Sequence, residues 1–206
     1  MKNRSLGFTL VELMVVLSIA AAVLVIGVPA FKNFRENGRL TNTANDMLSA
    51  TIVARTEAIK QQKQVSLCPS SNPTGDQPTC TADSTAGWIV FVDTDGNCTR
   101  TGDDTEPLLG GRALDNSNVA NPLKVKYDGE CLSFVSTGFR KEVKDKTTLN
   151  HILICDSRGT APQAGTNVSA ARAIIITATG RARITRALSS GMADDVTKWD
   201  PAGACP

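Results

Sequence analysis

Four arginines, Arg172, Arg181, Arg183 and Arg186, fall in one stretch that contains no acidic residue, whereas the whole chain carries 22 Lys and Arg against 20 Asp and Glu. A guanidinium is a planar fork that grips a phosphate through paired N–H groups. If this stretch is a strand, two-residue alternation puts Arg181, Arg183 and Thr185 on one face and turns Ala182 and Ile184 towards a core. The two guanidinium groups would then stand about 7 Å apart, near the spacing of successive phosphates along a DNA strand. Charges that keep an edge strand from aggregating, or that pair with neighbouring chains, account for the same residues. The net charge of +2 does not by itself imply a polyanionic partner. One tyrosine and two tryptophans leave little for base stacking, so any nucleic-acid contact should be sequence-independent and sensitive to salt. Lys141, Lys144 and Lys146 could extend a basic surface, but Glu142 and Asp145 interrupt them and a solvated loop is the expectation there.

The acidic counterpart is Asp93-Thr94-Asp95-Gly96-Asn97, with carboxylates on alternate residues before a glycine, as in the opening of many calcium loops. Asp103, Asp104 and Glu106 could add oxygens, but the complete EF-hand spacing is missing, and a plain Asp-Gly turn between strands explains the same residues. The turn is favoured over a metal site at Asp93 and Asp95, and no cofactor is expected. The single histidine, His151, lies in an alternating apolar run without acidic or hydroxyl residues at nucleophile-like spacing, and reads as structural. No G-x-S-x-G, H-E-x-x-H or G-x-x-x-x-G-K-[ST] motif occurs, so the chain is not expected to be an enzyme.

Six cysteines, Cys68, Cys80, Cys98, Cys131, Cys155 and Cys205, are too scattered for a zinc site and read as disulfides, which persist in oxidising compartments. Six cysteines permit about 15 pairings. Cys68 with Cys80 would close a Pro/Ser/Gly-rich loop, and Cys205 would staple the end of the chain.

The elements that must carry these groups begin with a polar, basic heptapeptide, MKNRSLG, followed by 23 residues that are apolar except for Thr9, Glu12 and Ser18, enough to span a bilayer. A secretory signal would place its cleavage site after the apolar run; here the processing point, between Gly7 and Phe8, precedes it and would leave the helix in the mature chain. Glu12 is an ionisable group inside an apolar segment, which costs a few kcal/mol unless it finds a partner. Four residues beyond Phe8, it could meet the new α-amino group of Phe8 on a neighbouring subunit and set the step of a helical stack. An interfacial Glu near the end of a single-pass anchor is the simpler alternative.

Leu40, Ala44, Met47, Leu48, Thr51, Ala54 and Ala58 continue at three-and-four spacing, an amphipathic helix reaching about Gln64. Counted from Phe8 it would be about 85 Å long, weakened at Gly38. Thereafter the head is mainly β. Strands are expected at 64–68, 87–93, 123–127, 131–135, 151–155, 173–177 and 181–185, with loops over 69–86 and 95–121. The expected division is a leader at 1–7, a transmembrane and filament-core helix at 8–30, its amphipathic second half at 31–64 and a β-rich head at 65–206.

The run G-F-T-L-V-E-L-M-V-V, Gly7 to Val16, resembles the leader junction of type IV pilins and type II secretion pseudopilins. Gly87-Trp88-Ile89-Val90-Phe91-Val92-Asp93 with the following Asp95-Gly96-Asn97, and Gly180-Arg181 later, resemble FimT/GspH-type minor pilins and pseudopilins. The resemblance implies an α+β type IV pilin-like fold, a long helix against two antiparallel sheets. It also implies cleavage after Gly7 and N-methylation of Phe8 by a prepilin peptidase, assembly through Glu12 and a bend near Pro29. Gly180-Arg181-Ala182-Arg183 further resembles the G-R-x-R motif of FimT-type minor pilins that bind DNA during natural transformation. It implies that Arg181 and Arg183 contact phosphates of double-stranded DNA and that Gly180 shapes the turn presenting them, with Arg172 and Arg186 in the same basic stretch. The other partners implied are major and minor pilins and the inner membrane, with the head periplasmic and then extracellular on a pilus. The alternative is a structural or priming minor pilin, or a secretion pseudopilin, that does not bind DNA.

Overall fold

The computed structural model describes residues 8–82, 86–102, 105–116, 120–160, 168–187 and 205. The chain divides into two compact units, Met1–Gly38 and Arg39–Pro206. Helix α1, Leu10–Gln61, opens at Thr9, whose Oγ1 accepts a hydrogen bond from the Glu12 N–H at 3.2 Å. This is the first half of a Thr-x-x-Glu capping box. Glu12, in the first turn, also places a carboxylate at the positive end of the helix. In the first unit the apolar side chains are exposed, Leu10 and Val25 each by about three-quarters, and the helix is long and apolar enough to cross a membrane.

In the second unit the same helix behaves differently. Leu40, Ala44, Met47, Thr51, Ala54 and Ala58 are buried, and Leu48 is half-buried. The stripe packs into one core with residues from two antiparallel sheets, including Val65, Leu67, Trp88, Phe134, Tyr127, Ile152, Ile154 and Ile174. The first sheet has the order β3-β2-β1-β5-β6, with β1 Val65–Ser70, β2 Gly87–Val92, β3 Leu108–Ala113, β5 Leu132–Phe134 and β6 Arg140–Lys141. The second has the order β4-β7-β8-β9, with β4 Lys124–Tyr127, β7 His151–Cys155, β8 Val168–Ile176 and β9 Ala182–Ala187. The α+β class, one long helix and two antiparallel sheets, is therefore observed. Tyr127 ties the sheets together: its buried hydroxyl donates to the Gly87 carbonyl at 3.2 Å, and burial pushes its pKa up.

Several boundaries differ from the sequence expectation. The helix ends at Gln61 and not at about Gln64, where Gln62 turns to φ 53°. Strand β1 runs on to Ser70, through Pro69; β5 pairs only with Val65, Ser66 and Leu67, so the proline, which lacks an N–H, sits where β1 has no partner on that side. Strands β3 and β6 lie where none was expected. β3 falls inside the predicted loop 95–121, and its Gly110-Gly111 pair reads as a breaker in sequence. In the structure Gly111 is a point of close approach, since a Cβ there would overlap the Pro73 carbonyl.

Candidate nucleic-acid interface

Strands β8 and β9 form a hairpin whose loop is closed by hydrogen bonds between Thr177 and the residues Gly180 and Arg181. Thr177 N–H donates to the Arg181 carbonyl at 2.9 Å, Gly180 N–H to the Thr177 carbonyl at 2.9 Å, and Arg181 N–H to the Thr177 hydroxyl at 3.2 Å. Gly180 adopts φ 77°, the left-handed residue that such hairpin loops need. A Cβ there would also lie 2.8 Å from the Gly138 carbonyl oxygen and 2.9 Å from Phe134 Cε1. Glycine is required by conformation and by space.

Arg181 immediately precedes β9 and Arg183 lies within it; both are exposed, while Ala182 and Ile184 pack against the main core. Ile175 pairs with Arg183 and Ile176 with Ala182, and β9 is the edge of its sheet. Alternation thus sends the two arginines to the face away from the core, as the sequence pattern implied.

The remaining arginines of the stretch do not join them. Arg172, predicted as a contact residue, is only 5% exposed. Its guanidinium donates to the Ala170 and Ala171 carbonyls and, at 3.3 Å, to the Thr41 hydroxyl. Burial lowers its pKa, the nearby positive charges of Arg186 and Arg158 lower it further, and Asp156 opposes them. Arg186 is exposed but lies on the alternate side of β9 from Arg183, within electrostatic reach of Arg172. The single patch of four expected from sequence is therefore corrected to an exposed pair, a buried residue and an exposed neighbour of that buried residue.

Sequence reasoning missed Arg55. It stands on α1 beside the buried stripe, and its Nη1 reaches the Gly180 carbonyl at 3.5 Å. With Thr51, Ile52, Thr56 and Ile59 it lines a cleft of about 390 Å³ whose other wall is Gly180, Arg181 and Ala182. The contact spans 125 residues of sequence, and nothing local in the helix marks it.

Outside the hairpin, the structure pairs the cysteines as Cys68–Cys80, Cys98–Cys131 and Cys155–Cys205, with Cα separations of 5.6, 6.1 and 5.9 Å. Cys205 is buried with Leu153, Cys155, Ala171 and Ala173. His151 has an acidic partner that sequence spacing did not suggest: its Nδ1 lies 2.8 Å from Asp128 Oδ2, and Asp128 Oδ1 accepts the Asn150 and His151 N–H groups at 2.8 and 2.9 Å. Burial pushes the Asp128 carboxyl up, but the His151 ring and the two N–H groups together bring it below its ordinary value. The pair ties the end of β4 to the start of β7, its neighbour in the sheet. Asp93, Asp95 and Glu106 come together, while Asp103 and Asp104 lie outside the described residues. Of the leader residues, Gly7 lies outside the described residues; Phe8 and Glu12 are exposed.

Residues 43–186 match the family described as type II transport protein GspH, and residues 2–28 match the prokaryotic N-terminal methylation motif. The chain belongs to the GspH family and is a minor pilin or pseudopilin of a type IV pilus or type II secretion system. Family membership implies assembly with other pilin subunits, and the apolar helix with its prepilin motif fits membrane anchoring. Among solved structures the chain is similar to the type IV minor pilin FimU of Pseudomonas aeruginosa, at 18% identity over 74% of this chain and 92% of that one, with a TM-score of 0.45. It is also similar to the minor pseudopilin EpsH of the Vibrio cholerae type 2 secretion system, at 10% identity over 72% and 97%, with a TM-score of 0.42. No curated protein matches the chain.

Proposed function

We propose that this subunit is a minor pilin of a type IV pilus whose head holds extracellular double-stranded DNA by its phosphates. The observation that carries this reading is the exposed Arg181 and Arg183 pair on a hairpin whose turn requires Gly180. Arg55 deepens the same basic surface from the helix side. Prepilin peptidase cuts between Gly7 and Phe8 and methylates Phe8 in the inner membrane; Glu12 then pairs with the freed α-amino group of a neighbouring subunit during assembly. The head passes from periplasm to pilus surface, and retraction powered by other proteins draws in bound DNA. Binding is adhesive, sequence-independent and electrostatic.

The test uses the full chain in detergent micelles with duplexes of unrelated sequence over a salt series. Micromolar-range affinity that falls with salt, and is lost in a folded Arg181→Gln, Arg183→Gln variant, supports the reading. Absence of binding by the native chain at low salt overturns it.

A second reading is favoured by β9 being an edge strand. There the arginines would block edge-to-edge pairing or contact other pilins in a priming subunit or secretion pseudopilin without DNA affinity. The double variant would then aggregate or fail to enter filaments while native DNA binding is nil.

A further inference from the structure

We infer that the turn following β2 is a calcium site built from Asp93, Asp95 and Glu106. One carboxylate oxygen of each lies within 4.8 Å of the others, a spread that oxygens gathered on one cation at about 2.3–2.6 Å can have. Proximity of acidic groups alone would not suffice. The second observation concerns Asp93, which is 2% exposed. Its Oδ2 accepts three hydrogen bonds, from Gln64 Nε2 at 2.9 Å, Ser66 Oγ at 2.6 Å and Cys98 N at 3.0 Å. Its Oδ1 is equally shut off from solvent and has no hydrogen-bond partner. A buried carboxylate oxygen left without a partner is costly, and two further acidic groups beside it raise that cost.

Two basic side chains lie beside the turn. Arg100 directs its Nε to the Glu106 backbone carbonyl at 2.9 Å, and Lys141 directs its Nζ to Gln64 Oε1 at 2.7 Å. A hard divalent ion supplies a ligand for Asp93 Oδ1 amid the three carboxylates, and all-oxygen donors select calcium over softer metals. Asp93 and Glu106 are buried and Asp95 is exposed, so the ion would enter from the Asp95 side. It would join the end of β2 to the strand approach at Glu106, across a loop already tied down by Cys98–Cys131.

The test is a thermal melt of the full chain in detergent, first with EGTA and then titrated with calcium chloride, beside a magnesium chloride titration. The expected result is a rise of about 5 °C in Tm. Half of the rise should fall at about 0.1–1 mM calcium, the range of extracellular modules, with magnesium markedly weaker. Asp95→Asn keeps an acceptor for the Asn97 N–H, bonded at 3.1 Å in the native turn, and gives up only the exposed bond from the Asn97 side-chain amide to Asp95 Oδ2. Its Tm in EGTA should equal or exceed the native value, since a like charge is gone, while its apparent calcium affinity falls at least about tenfold. A native Tm indifferent to calcium, a magnesium response equal to that of calcium, or a calcium response undiminished in Asp95→Asn each overturns the inference. DNA affinity enters none of these readouts.

Discussion

Arg172 on β8 and Arg183 on β9 belong to adjacent strands of one hairpin and share one basic stretch, yet they have opposite fates. Arg172 is buried and spends its N–H groups on the Ala170 and Ala171 carbonyls and the Thr41 hydroxyl. Arg183, with Arg181, is exposed on the outer face of an edge strand. A buried guanidinium is part of the packing and contributes by filling hydrogen bonds; an exposed one contributes little to folding. Arginines that sequence composition groups together are thus separated into buried and exposed sets by strand position.

The comparison breaks most sharply at Arg172→Ala. Losing the buried side chain and leaving its acceptors unmatched should cost about 2–3 kcal/mol in chemical denaturation, with the salt slope of DNA binding unchanged in the folded fraction. If the slope drops instead, Arg172 is a contact residue. Gly180→Ala should cost about 2 kcal/mol, because φ 77° and the Gly138 carbonyl both oppose a Cβ. It should also weaken DNA binding by displacing the turn; unchanged binding would show that the arginines do not need that turn. The Arg181→Gln, Arg183→Gln variant should leave stability within about 0.5 kcal/mol. Its DNA affinity should fall at least about tenfold, and its log K against log salt slope should shrink by about 2. A stability loss without a slope change would move these residues into the structural set.

Asp128→Asn sharpens the contrast from the paired side and should cost about 1 kcal/mol at neutral pH. Because the folded Asp128 carboxyl titrates below its ordinary value, its contribution is present above the unfolded value of about 3.9. It is lost as pH falls through the lower folded value. Denaturation of native and variant chains should therefore differ at neutral pH and converge in acid; a constant difference would mean that the charge on Asp128 is irrelevant.

Some of the molecule was legible from local pattern. The stripe Leu40, Ala44, Met47, Thr51, Ala54 and Ala58 follows helical spacing and is buried; the alternation at Arg181 to Ile184 holds on β9. Strand β3 was not legible, because its two glycines look like a loop until Gly111 is seen beneath Pro73. Arg55 was not, because its partner at Gly180 is distant in the chain.

By itself the amino-acid sequence determined the helix with its apolar first half and amphipathic second half, the disulfide chemistry, the inward and outward sides of β9 and the family. All of these depend on residue type at short spacing, which fixes side-chain direction and solvent preference one turn or one strand at a time. Only the tertiary structure decided which cysteines pair, that Arg172 is buried, that Arg55 joins the Gly180 turn, and that Asp93, Asp95 and Glu106 converge. These depend on which elements lie side by side, and that is set by packing the helix stripe and both sheets into one core.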